Sequence, residues 1–182
     1  GMVVPRIAAE DNRVVGIVSM AGTPRNLADL VVDQSREALE ASGLSSAEIG
    51  AQMAAIEADR DKILSLDAGS DLNETLLGQP AAYWLSLNGL EPEKYASSLS
   101  IPILILQGSE DFQVYPDVDF AQWQKILSDK EILTFKLYDG LNHLFMPSEG
   151  IRDVSDYDRE AHLDATVLDD LAAFIDGKPL SD

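Results

Sequence analysis

Ile101-Pro102-Ile103-Leu104-Ile105-Leu106-Gln107-Gly108-Ser109-Glu110-Asp111 is an apolar, β-branched run that breaks off into a polar turn. From Ile103 to Leu106 the apolar residues are successive rather than alternate, so both faces of the extended chain need cover. A strand inside a parallel sheet reads this way. Two further β-rich runs lie on either side, Val14 to Met20 upstream and Leu133 to Tyr138 downstream, and the first of these is again apolar almost throughout.

Helical patterns separate the three runs. Pro116 opens a segment in which Phe120, Trp123 and Leu127 recur at helical spacing, a crossover between the second and third strands. Leu163, Val167, Leu171, Phe174 and Ile175 line one face of a final helix that Gly177 and Pro179 close. At the front, Val4, Ile7 and Ala8 follow helical spacing, with Pro5 tolerated in the first turn. No strand is expected between Leu27 and Leu87, where Ser45 and Glu48 have capping-box spacing ahead of Ile49, Met53 and Ile56. An all-helical insertion at about 24–90 is far longer than the roughly dozen residues an ordinary crossover needs, and it reads as a lid or cap. The polar stretch Pro147 to Asp158 reads as a surface loop. The predicted class is therefore α/β: about three parallel strands flanked by helices, in one domain over residues 1–182 that carries the cap insertion.

Composition excludes several classes of function. The 182 residues are 46% hydrophobic, enough to bury a core. Thirty-two acidic against 13 basic side chains give a formal charge of -19, which repels phosphate backbones and anionic lipid. Nucleic acid and membrane surfaces are not expected partners. No apolar run approaches the roughly 20 residues that span a bilayer, and the start lacks the pattern of a secretory signal, so the chain is expected in the cytoplasm. Cysteine is absent, which removes disulfides, thiolate metal sites and a thiolate nucleophile. No Gly-x-x-x-x-Gly-Lys loop, no Gly-x-Gly-x-x-Gly and no metal-ligand cluster occurs, and no cofactor is expected.

The chemistry lies where two of the runs end. Loops that leave the carboxyl ends of neighbouring parallel strands converge on one edge of an α/β sheet, where ligands bind. Ile101 to Leu106 runs into Gln107, Gly108, Ser109, Glu110 and Asp111, and Leu133 to Tyr138 runs into Asp139, Gly140, Leu141, Asn142 and His143. If the two strands are adjacent, Asp111 reaches His143, holds one imidazole nitrogen protonated and leaves the other as a general base. Aspartate after a strand is more often a turn former or helix cap, and a lone histidine is more often structural. The coincidence of the two, in a chain with only two histidines, favours a functional pair. Glu110 is the alternative acid. His162 reads as a surface residue before the last helix, and Tyr83 and Trp84 read as core sooner than as walls of a substrate pocket.

Ile101-Pro-Ile-Leu-Ile-Leu-Gln-Gly-Ser-Glu-Asp111-Phe-Gln-Val and Tyr138-Asp-Gly-Leu-Asn-His143-Leu-Phe resemble the acid and histidine blocks of the α/β-hydrolases, in particular the serine esterase and dipeptidyl-peptidase-like branch. The resemblance implies Asp111 as triad acid, His143 as general base, and a small ester-like substrate, with thioesters or peptides as variants. It departs from the family in one respect: the Gly-x-Ser-x-Gly of a nucleophile elbow does not occur. Gly43-Leu44-Ser45-Ser46-Ala47 imitates it, but Ser45 reads as a helix cap, and Ser109 lies too near Asp111 in the same loop. The opening residues resemble the helix that follows the elbow. The chain is thus expected to be the C-terminal portion of such an enzyme, inactive by itself. Its strand Val14 to Met20 is expected to lack a neighbour and to pair two copies into a homodimer. The alternative is a non-catalytic binding or interaction module on the same scaffold.

Overall fold

In the computed structural model, which describes residues 1–129 and 132–181, helix and strand alternate as the apolar pattern implies. Along the chain come helix α1 (Val4–Glu10), strand β1 (Ile17–Met20), helices α2 (Leu27–Ala41) and α3 (Ser46–Leu64), and the two-residue strands β2 (Thr75–Leu76) and β3 (Gln79–Pro80). Helices α4 (Ala81–Asn88) and α5 (Pro92–Ser98), strand β4 (Ile103–Gly108), helix α6 (Ala121–Ile126), strand β5 (Leu133–Tyr138) and helix α7 (Ala165–Ile175) complete it. The contacts divide these elements into two units: Gly1–Pro24 with the stretch from Pro92 onward, and Arg25–Glu91.

The first unit is built on a three-stranded parallel sheet in the order β1-β4-β5. Every residue of the central β4 is buried, and its side chains alternate between two cores. Ile103 and Ile105 join Ala8, Ile17, Ala96, Leu99, Phe120, Trp123 and Leu127 on one face. Leu104 and Leu106 join Ala21, Tyr138, Leu141, Phe145 and Val167 on the other, with Leu163, Leu171 and Phe174 packed against them. Burying four aliphatic side chains in a row contributes about 1.5–3 kcal/mol each. The unbroken apolar run is thus a strand with helices on both sides.

Strand β5 runs from Leu133 to Tyr138 as predicted, whereas β1 and β4 start later than expected. Pro102 has no N–H to give a ladder, so β4 begins at Ile103, while the Pro102 carbonyl accepts from Ile17 N. Val14 donates from its backbone to Asp11 in a turn and Val15 is 82% exposed, so β1 is four residues long rather than seven. Single residues of two helices also depart from expectation. On α1 the inward face is Pro5 and Ala8, with Ile7 exposed, and on α7 Ile175 points to solvent. The crossover after β4 opens as a π-helical turn, Pro116–Phe120, before α6. The end of α7 is as read: Gly177 takes φ +66°, its N–H donates to Phe174 O and Lys178 N donates to Ala173 O. Only an achiral residue adopts that left-handed conformation without cost.

The second unit packs α2 against α3 over a core of Ala28, Ile63, Leu76, Ala81 and Trp84. Ser45 caps α3 in a full capping box with Glu48. The expectation of an insertion without strands is corrected here, because Thr75–Leu76 pairs with Gln79–Pro80 in a hairpin. Its two turn residues, Leu77 and Gly78, both take positive φ, 44° and 75°. Two-residue strands leave no periodic signal. The hairpin is held by tertiary contacts instead: Trp84 Nε1 donates to Leu76 O at 2.7 Å and Leu77 N donates to Asp59 Oδ2 at 3.0 Å. Trp84 therefore belongs to this unit's own core, and Tyr83, stacked edge-on against it, is exposed.

Candidate active site

The register Gly108↔Tyr138 brings β4 and β5 to the same level, so the loops after them leave side by side. Backbone bonds tie them: Ser109 N donates to Tyr138 O, and Glu110 N to Leu141 O, each at 2.9 Å. Ser109 Oγ accepts from Gly140 N at 2.9 Å. The serine beside the acid is thus a fastening between the loops.

Asp111 and His143 meet across this junction, with Asp111 Oδ2 2.9 Å from His143 Nδ1. The carboxylate is fully buried, whereas the imidazole keeps 26% of its surface open. A buried charge is costly unless its lone pairs are filled, and here they are. Oδ1 accepts from Gln113 N at 2.8 Å and Val114 N at 2.9 Å, while Oδ2 accepts from Gln107 Nε2 at 2.7 Å as well as facing His143. Three donors besides the imidazole fix the plane of the carboxylate. An imidazole that gives its Nδ1 proton to this group holds a lone pair on Nε2, for which none of the described residues is a hydrogen-bond partner. The arrangement is an oriented proton acceptor.

Other candidates fall elsewhere. Glu110 forms an ion pair with Arg152 at 3.8 Å rather than with the imidazole. Ser45 is a helix cap and His162 is an exposed residue ahead of α7. Among the described residues no group of three His, Cys, Asp or Glu side chains could hold a metal ion. No helix of those residues is long and apolar enough to cross a membrane.

The support beneath the pair was not legible in sequence. Asn142, next to the histidine and 1% exposed, accepts at Oδ1 from Leu144 N and Met146 N and donates from Nδ2 to Asp156 Oδ2 at 2.6 Å. Asp156 lies in a 3₁₀ turn, Val154–Asp158, within the stretch read as a plain surface loop. Burial by itself would raise its carboxyl, yet the hydrogen bonds from Asn142 and Arg159 outweigh that and hold it below the usual carboxylate value. The only sequence signal was the Asp153-Val-Ser155 step that caps this turn, and it did not reveal that the turn faces inward.

The ends of β4 and β5 thus bring together a buried carboxylate and an imidazole with 26% of its surface open. The chain is similar to the esterase EstD of Thermotoga maritima, 32% identical over 174 residues, which make up 96% of this chain and 40% of the esterase. It spans two fifths of that relative's length, and its homologue is an esterase. No family profile matches the chain.

Proposed function

We propose that Asp111 and His143 are the acid and the general base of a serine-type ester hydrolase, within the α/β-hydrolase class that the two sequence blocks resemble. The observation that carries this reading is the 2.9 Å contact between His143 Nδ1 and a buried Asp111 carboxylate that three further donors hold in place. In such a site His143 Nε2 takes the proton of a serine hydroxyl as it attacks the ester carbonyl, then returns it to the leaving alcohol. Asp111 keeps the imidazole in the required tautomer and stabilises the imidazolium that forms. The substrate class is a small carboxylic ester, which the esterase relative supports.

No hydroxyl of the described residues hydrogen-bonds His143, and the chain contains no Gly-x-Ser-x-Gly. The reading therefore takes the attacking serine from outside these 182 residues. The test compares fluorophosphonate labelling and p-nitrophenyl acetate hydrolysis by this chain and by a form extended upstream. The extended form is expected to label and turn over, His143→Ala is expected to abolish both, and the short chain is expected to do neither. Labelling of the short chain would refute the placement of the serine. An extended form indifferent to His143→Ala would refute the pair.

A further inference from the structure

We propose that the turn Val154–Asp158 is a buckle that locks the imidazole loop to the acid loop, with Asp156 and Tyr157 as positioning residues for His143. The proposal rests on reading Asp111 and His143 as acid and base, and it adds residues to that site. The two loops come from different strands, and a hydrogen bond between their tips survives only if both are held to within a fraction of an ångström. The ends of β4 and β5 fix the roots of the loops; something must fix the tips.

Adjacent residues of the buckle hold one loop each. On the base side, Asn142 spends Oδ1 on Leu144 N and Met146 N, which wraps the chain around His143. Its remaining buried donor, Nδ2, is taken by Asp156 Oδ2 at 2.6 Å. Asp156 is itself 2% exposed, and its other oxygen is filled by Arg159 Nε at 3.1 Å and Nη2 at 2.6 Å. Arg159 Nη2 also donates to Pro147 O at 2.8 Å, which closes the stretch back onto the imidazole loop. On the acid side, Gln113 gives its backbone N–H to Asp111 and its side-chain amide to the Tyr157 hydroxyl. The Tyr157 ring packs against Phe112, centroids 5.3 Å apart. A merely solvated loop would have no reason to bury a carboxylate and aim it at the residue before the histidine.

Nuclear magnetic resonance on this chain tests the buckle without any need for turnover. With His162→Gln as background, one imidazole remains, and its ring nitrogens report the tautomer and the exchange of the Nδ1 proton. Asp156→Ala is expected to accelerate that exchange about tenfold and to mix the tautomers, the scale set by loss of one buried hydrogen bond. Tyr157→Phe, which keeps the ring and removes only the hydroxyl, is expected to accelerate it by a smaller factor. Asp156→Asn keeps one oxygen for Asn142 Nδ2 but sets an amide NH2 against the Arg159 donors, and is expected to fall between the parent and Asp156→Ala. Asp170→Asn, under α7 and in neither site loop, is the control for general destabilisation and is expected to leave the imidazole signals in place. If Asp156→Ala does not fold, Tyr157→Phe and Arg159→Gln carry the test. Folded Asp156→Ala, Tyr157→Phe and Arg159→Gln proteins with parental exchange would overturn the buckle, as would an equal effect from Asp170→Asn. Exchange that responds as expected while no form of the protein hydrolyses an ester would keep the buckle and remove the hydrolytic reading.

Discussion

At Gly108 the two site loops approach so closely that no side chain fits. A Cβ there would lie 2.3 Å from the Leu141 carbonyl oxygen and 2.7 Å from that of Asn142, both rigid backbone atoms. Gly108→Ala is expected to cost about 2 kcal/mol, read from urea denaturation, and to displace the imidazole loop. The chemistry of Asp111 supports a second substitution. Because Oδ1 serves two backbone N–H groups, the amide nitrogen of Asp111→Asn takes the place of Oδ2 and faces His143 Nδ1. That forces the proton onto Nε2, where it blocks the base. In a form that hydrolyses esters, kcat is expected to fall roughly 10³- to 10⁴-fold with KM little changed. At this scale Asp111 and His143 were legible as candidates for a pair because each follows a strand and histidine is scarce. Gly108, Gln107 and Asn142 were not, since their importance comes from what approaches them through space.

Among the elements, β4 was the easiest to read and the hairpin the hardest. An unbroken aliphatic run is ambiguous between strand and helix only until its length and its Gly-Ser ending are considered. Two-residue strands carry no period, and the turn with positive φ at Leu77 is flanked by bonds to distant residues, from Trp84 Nε1 to Leu76 O and from Leu77 N to Asp59 Oδ2. The final helix stands between these cases: its face and its stop were visible, but its buried Asp170 was not. That carboxylate accepts from the Tyr138 hydroxyl at 2.9 Å and from Ser181 N at 2.7 Å, so α7 is anchored to β5 by a polar bond within an apolar face. The stop is testable. Gly177→Ala puts a Cβ in the left-handed region at φ +66° and is expected to cost about 1 kcal/mol in thermal unfolding, with Gly177→Asn costing less.

For the whole molecule, buried titratable groups set limits at both ends of the pH range. Burial would raise the carboxyls of Asp156 and Asp170, but hydrogen bonds to each outweigh it and leave both below their ordinary value. A depressed folded value means that their contribution is present at neutral pH and is lost as pH falls from about 4 downward. Tyr138 has the opposite sign: burial first, then the bond to Asp170, push its phenol up. Its contribution is present below about pH 10 and is lost as pH rises beyond that. Melting temperature is expected to drop on both sides, with Asp156→Asn flattening the acid limb and Tyr138→Phe the alkaline one. The sheet carries a further expectation: β1 pairs only with β4 among the described residues. We propose that its outer edge joins two copies of the chain, so light scattering at micromolar concentration should give the mass of a dimer, and a monomer would refute it.

Local pattern was sufficient for the α/β class, the presence of the three strands and the capping box at Ser45, because each depends on residues close in sequence; Asp111 and His143, 32 residues apart, were singled out by their places after two strands, and the adjacency of those strands brought them together. Tertiary structure alone decided that Asp156 and Tyr157 lie beneath that pair, that Gly108 admits no side chain, and that Leu77 turns a hairpin. Those features exist only where distant segments meet, and a contact between residues far apart in the chain leaves no period to read.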